Sequence, residues 1–226
     1  MNSDLKYATN LISKYKSFVS NNTEYMKLLS TADTKKLCEY KGTLAYDVNT
    51  CLRNESIDRI NMEHRLYTKF RNSTNADEKA EMLQKYIKYV KKYTTFLTSL
   101  FERSPRLSKD TTVYRIINND SGFLPIPGKS INLPGFTSCS IDVMQSLYYF
   151  GGMMSIDRSE SNIVLLQITV KAKTPYIFID DHCFRNRDLL SRQGEILFPS
   201  NMKLHMVKRL AKLGEIDVYK ATLNSE

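Results

Sequence analysis

A chain of 226 residues is long enough for one large domain or two small ones. Its 42% hydrophobic and 25% charged residues are ordinary globular values. No apolar run reaches the roughly 18 residues of a membrane span, and the polar stretch Met1 to Asn10 lacks the apolar region of a secretory signal. A monomer is expected, working in the cytosol or exported by a route that leaves no such signal. The net charge of +9 is uneven: residues 1–110 hold 20 Lys+Arg against 13 Asp+Glu, and residues 111–226 hold 13 against 11. Such an excess attracts nucleic acid, an acidic partner or a membrane surface, although a solvated basic helix face explains it more simply.

The first half reads as helical. Helices are expected over 4–19, 23–30, 33–40, 44–53 and 56–70, none with caps strong enough to fix its ends. The clearest helix runs from Glu78 to Phe101, where Leu83, Ile87, Val90, Tyr93, Leu97 and Leu100 recur at steps of three and four. Ser73 to Asp77 supplies its loop and N-cap. Ser104-Pro105 ends the helical half.

Strands and turns follow. Thr111 to Ile117 is β-branched and aromatic, and Pro125 to Gly128 is turn chemistry. Gly135 to Ser140 is a short strand candidate. Val143 to Phe150 reads as a short helix, broken by Gly151-Gly152. Ile163 to Val170 is nearly continuous in apolar character and is expected to be central and buried. Further strands are expected over 176–179, 195–198, 204–207 and 215–223. The fold class is α+β: an N-terminal helical layer on a mixed, mainly antiparallel β-core. Residues 1–30 form a helical extension, and 31–226 form a single domain, helical over 31–108 and β over 109–226.

Four cysteines, Cys38, Cys51, Cys139 and Cys183, are scattered without a C-x-x-C pair or a histidine at ligand spacing. They are read as reduced, mostly buried thiols, and no metal site is expected. G-x-G-x-x-G, G-x-x-x-x-G-K-[ST] and H-E-x-x-H do not occur. No G-x-S-x-G elbow surrounds the serines, and His64, His182 and His205 have no triad context.

Three short motifs remain. Arg115 sits mid-strand among apolar neighbours, where a charge needs a partner. It reads either as a salt-bridged edge residue or as a guanidinium clamp on phosphate. Ser138 and Ser140 bracket Cys139 and share a strand face. Gln193 and Glu195 share another, with Glu195 leading into the apolar Ile196-Leu197-Phe198. A fixed carboxylate at such a place can stabilise a positive charge that develops beside it, such as that of an oxocarbenium-like sugar.

In this order, Arg115, Ser138-Cys139-Ser140 and Gln193-Gly194-Glu195 resemble the Arg / Ser-x-Ser / Gln-x-Glu signature of mono-ADP-ribosyltransferases. The chain also resembles the Rho-modifying bacterial exoenzymes and related toxin or viral enzymes. Tyr40-Lys41-Gly42 with Tyr46 to Arg53 is similar to the family's "Tyr-Thr/Ser-Gly" step and its "Ile-Asn-x-x-Leu-Arg" helix. Gly135 to Ser140 is similar to "Gly-Phe-x-Ser-Thr-Ser", and Gln193 to Pro199 to the stretch around the catalytic carboxylate. The match covers residues 31–223.

The resemblance implies that Arg115 binds the NAD phosphates and that Ser138 supports the nicotinamide-ribose pocket and orients Glu195. It makes Glu195 the catalytic carboxylate and turns Gln193 toward the acceptor. Arg158, in the loop 151–161, becomes a second phosphate contact. The loop 180–192 becomes the target-recognition turn, with Arg185, Arg187 and Arg192. Three positions depart from the pattern. Ile116 stands where Gly is common, beside the nicotinamide. Cys139 replaces Thr. Phe184, the nearest aromatic before Gln193, lies nine residues upstream of it.

The function implied is a glycosyl transfer: NAD-dependent mono-ADP-ribosylation of a protein side chain other than arginine, with release of nicotinamide and no metal. Modification of a guanine base in nucleic acid is the alternative that the net charge motivates. A non-catalytic basic interaction module and simple NAD hydrolysis rank below both.

Overall fold

A buried polar residue near the C-terminal end of the first helix ties that helix to the sheet. The computed structural model describes residues 3–53, 74–118, 125–147, 163–179, 183, 194–213 and 216–225. Helix α1, Ser3–Lys27, is one continuous element where the sequence suggested a break near residue 20. The expected gap between 19 and 23 contains Asn22, whose side chain the sheet satisfies. Asn22 is buried, donates to the carbonyl of Phe178 at 2.9 Å and accepts from the Phe178 amide at 3.2 Å. Its amide thus substitutes for a neighbouring strand.

Helix α2, Thr31–Glu39, starts on a capping box made by Ser30 and Asp33. It continues without a loop through a π-helical turn, Tyr40–Leu44, into α3, Ala45–Leu52. The sequence placed a gap there. The helix expected over 56–70 lies outside the described residues. Helix α4, Ala76–Arg103, is capped by Asn75, which accepts from the amides of Asp77 and Glu78. Its buried stripe is Tyr86, Val90, Tyr93, Leu97, Leu100 and Phe101. Tyr86 replaces Ile87 on that face because its hydroxyl has a buried acceptor, the Asp47 carboxylate.

The strands are β1, Thr111–Asn118; β2, Ser130–Leu133; β3, Thr137–Ser140; β4, Ile163–Val170; β5, Ile177–Phe178; β6, Glu195–Phe198; β7, Met202–Leu213; and β8, Ile216–Ser225. They form one sheet in the order β2-β7-β8-β4-β1-β3-β6-β5. Among the described residues only the β4–β8 pair is parallel, so the sheet is mixed and mainly antiparallel, as expected. Strand β4 is central and buried, again as expected. Strand β2 was missed because its burial alternates weakly, and β7 extends well beyond 204–207.

Period-two alternation divides the interior between two cores. Ile196, Phe198 and Phe178 pack with Val113, Leu166, Ile168 and with Leu11, Tyr15 and Phe18 of α1. Leu197 and Ile177 point the other way, into a core built by α2, α3 and α4. Helix α1 serves both, since its C-terminal Tyr25 and Met26 belong to the second core.

One expectation is overturned. Cys38 of α2 and Cys183 are joined in a disulfide, with Cα atoms 5.2 Å apart, rather than present as reduced thiols. A separation of 145 residues concealed the pairing from spacing arguments. Cys51 and Cys139 carry free thiols, and burial pushes the Cys139 thiol up to about 12.

A cross-link over so long a loop restrains the unfolded chain by roughly 3–5 kcal/mol. Reduction, or Cys38→Ser, is expected to lower the denaturation midpoint accordingly, as thermal melting with and without reductant will show.

Candidate active site

Three neighbouring strands, β1, β3 and β6, bring the candidate residues together. The register sets Tyr114 opposite Ser140, and Ser140 opposite Glu195. Arg115 therefore lies one strand away from Ser138, and Ser138 one strand away from Glu195. Arg115 donates from Nη1 to the carbonyl of Ser138 at 3.1 Å. Ser138 donates from Oγ to Glu195 Oε1. The three residues joined by these bonds are Arg115, Ser138 and Glu195, all read from the sequence as site residues. Ile116 lines the same cleft, which encloses about 310 Å³ among the described residues.

A fourth group was not anticipated in this role. Lys41, in the π-helical turn, places Nζ on Glu195 Oε2. Its side chain is only 4% exposed and that of Glu195 14%. The π turn is where the α2–α3 rod departs from regular geometry, as helices commonly do at functional positions. A signal was legible: lysine stands where the family pattern carries Thr or Ser.

The two serines share a strand face but divide their work. Ser138 holds the carboxylate. Ser140 is buried, donates to the carbonyl of Asp142 at 2.9 Å and accepts from its amide at 3.2 Å. Asp142 then accepts from the amides of Met144 and Gln145, which starts the short helix over 143–147. The rest of the helix expected up to Phe150 lies outside the described residues.

Gly194 fixes the approach to Glu195. Its φ is +57°, in the left-handed region. A Cβ there would lie 2.3 Å from Gln145 Oε1 and 3.0 Å from Ile141 Cγ1. The Gly194 carbonyl accepts from Ile141 at 2.9 Å, and the Glu195 carbonyl from Ile179 at 3.1 Å. Gln145 is itself anchored, donating from Nε2 to the Tyr15 hydroxyl of α1 at 3.2 Å. Sequence reasoning missed Gln145 and Tyr15, since neither belongs to a motif.

Arg158, Phe184, Arg185, Arg187, Arg192 and Gln193 lie outside the described residues, as do His64 and His182. His205 is on β7, bonded to Ser130 and away from the cleft. Burial raises the Tyr40 hydroxyl above its ordinary value, and the nearby Glu195 charge adds to this. No group of three or more His, Cys, Asp or Glu suited to a metal occurs among the described residues. No described helix is long and apolar enough to cross a membrane.

The chemistry of this donor set fits a dinucleotide with a glycosidic bond. A guanidinium suits phosphate oxygens, and a hydroxyl with a carboxylate suits a ribose. The family profile described as ADP-ribosyltransferase exoenzyme matches residues 15–223. The chain belongs to this family. It is an ADP-ribosyltransferase, and NAD is its co-substrate. The profile begins within α1, inside the stretch read from sequence as an extension.

Solved structures share the fold at low identity. Plx2a, an ADP-ribosyltransferase toxin from Paenibacillus larvae, is 14% identical over 96% of this chain and 97% of its own, with a TM-score of 0.63. The Vis toxin from Vibrio splendidus is 12% identical over 99% and 87%, with a TM-score of 0.61. The Clostridium limosum C3 exoenzyme is 13% identical over 95% and 94%, with a TM-score of 0.58. No curated protein matches by sequence.

Gly194→Ala is expected to displace Gln145 and tilt the Glu195 backbone. The strained φ alone costs about 1–2 kcal/mol. Calorimetric titration with NAD, alongside thermal melting, checks this: NAD affinity falls about tenfold or more, and the melting midpoint falls with it.

Proposed function

We propose that the protein transfers ADP-ribose from NAD to a protein side chain other than arginine, releasing nicotinamide. The observation that carries this reading is Glu195, held by Ser138 in the cleft that Arg115 also lines. In this reading Arg115 binds phosphate and, through the Ser138 carbonyl, braces β3. Ser138 fixes one oxygen of the carboxylate. Glu195 accepts a ribose hydroxyl and faces the positive charge that grows on the ribose as the bond to nicotinamide breaks.

The acceptor class rests on Gln193, which precedes Glu195 by two residues. In the family, Glu at that position accompanies arginine modification, whereas Gln accompanies Asn, Gln, Thr or Cys and, in some members, a guanine base. A neutral amide beside the acceptor gives a guanidinium no counter-charge, which is the physical content of that association. Arg158, Arg192 and Phe184 stay in the reading as phosphate and target contacts. The Cys38–Cys183 bond supports a chain that meets oxidising surroundings before it acts in a host cytosol.

Incubation with labelled NAD and a whole-cell lysate, beside Glu195→Ala, tests the reading. Loss of the carboxylate is expected to cost ~3 kcal/mol of transition-state stabilisation, about a hundredfold in labelling. Equal labelling by both proteins would sink it. Label on nucleic acid would move the acceptor to a base, and label on arginine would overturn the acceptor class.

A further inference from the structure

Both oxygens of Glu195 are already engaged within the protein. Oε1 takes the Ser138 hydroxyl, and Oε2 takes the Lys41 ammonium. Lys41 is not a surface residue that happens to reach the carboxylate. Its side chain is 4% exposed, and the turn that carries it is anchored by the buried Tyr40 and Leu44 and, three residues earlier, by the Cys38–Cys183 bond. Taking an ammonium out of water is costly, and a buried ion pair seldom returns that cost as stability. Its placement therefore points to the site rather than to the fold.

The charge of Lys41 has the same sign as the charge that Glu195 has to face. The oxidised nicotinamide ring of NAD carries a positive charge, and so does the ribose as the ring departs. A carboxylate paired with an ammonium presents far less negative field to either.

We infer that Lys41 is the internal counter-ion of Glu195: a positioning residue that aligns the carboxylate in the free protein and competes with the cationic nicotinamide-ribose for it. Transfer requires Lys41 to give up Oε2. This inference rests on the reading of Glu195 as the group that faces the ribose.

NAD and NADH separate a charge effect from a packing effect, because they share a scaffold and differ in the charge of the ring. Calorimetric titration of the full chain with each ligand gives the ratio of the two dissociation constants. Wild type is expected to bind the two about equally. Lys41→Met and Lys41→Gln shift the ratio toward NAD by about tenfold, the size of one unit-charge interaction in a partly solvated cleft. Lys41→Arg keeps the wild-type ratio.

An unchanged ratio in the neutral variants overturns the inference. So does a wild type that binds NAD tenfold or more tightly than NADH, a result that needs no variant to fold. Adding Glu195→Gln to Lys41→Met is expected to erase the gain. A gain that survives in the double variant overturns the placement of Glu195 at the ribose, which is a different failure from that of Lys41.

Discussion

A largely buried carboxylate at the first residue of a strand is the constraint that the surrounding structure meets. Glu195 opens β6, where the backbone turns out of a left-handed glycine into a fully buried strand. Its two oxygens draw donors from opposite layers, Ser138 from the sheet and Lys41 from the helical layer. The carboxylate is therefore also the polar seam between the layers. An apolar contact there would hold the layers together equally well, so stability alone does not explain the buried pair.

The helical layer has a part in this beyond covering the sheet. Helix α1 closes the edge strand β5 through Asn22 and supports Gln145 through Tyr15. Gln145 in turn fills the space that a side chain at position 194 would need. Lys14 of α1 lies 3.7 Å from the Asp142 carboxylate that caps the short helix 143–147. The first 27 residues thus reach the site through one intermediate layer, which gives the N-terminal helix a structural reason that composition alone does not supply.

The electrostatics follow from the same arrangement. Arg115, Lys41 and Glu195 line one cleft, two cations and one anion. Such a site is attractive to phosphate at its Arg115 end and nearly neutral at its Glu195 end while Lys41 remains paired. The net charge of +9, which first suggests nucleic acid, is carried mainly on the helical half, where Lys85, Lys88, Lys91 and Lys92 are exposed on α4. That is the solvated helix face that the sequence pattern favoured.

Element types were legible from the chain, and so were three residues that the structure brings together. β-branched and aromatic residues marked β1, continuous apolar runs marked β4 and β6, and the three-and-four spacing marked α4, because these patterns report what is buried. Arg115, Ser138 and Glu195 stood out because they fall in the order of the Arg / Ser-x-Ser / Gln-x-Glu signature that the chain resembles, and the structure joins them by hydrogen bonds. Tertiary structure decided the rest. The gap expected between 19 and 23 contains Asn22, whose side chain a strand edge satisfies. The disulfide needs Cα atoms 5.2 Å apart, and no spacing rule finds that across 145 residues. Lys41 and Glu195 are 154 residues apart in the chain, and only the packing of the helical rod on the sheet turns an ordinary lysine into the partner of the site's carboxylate.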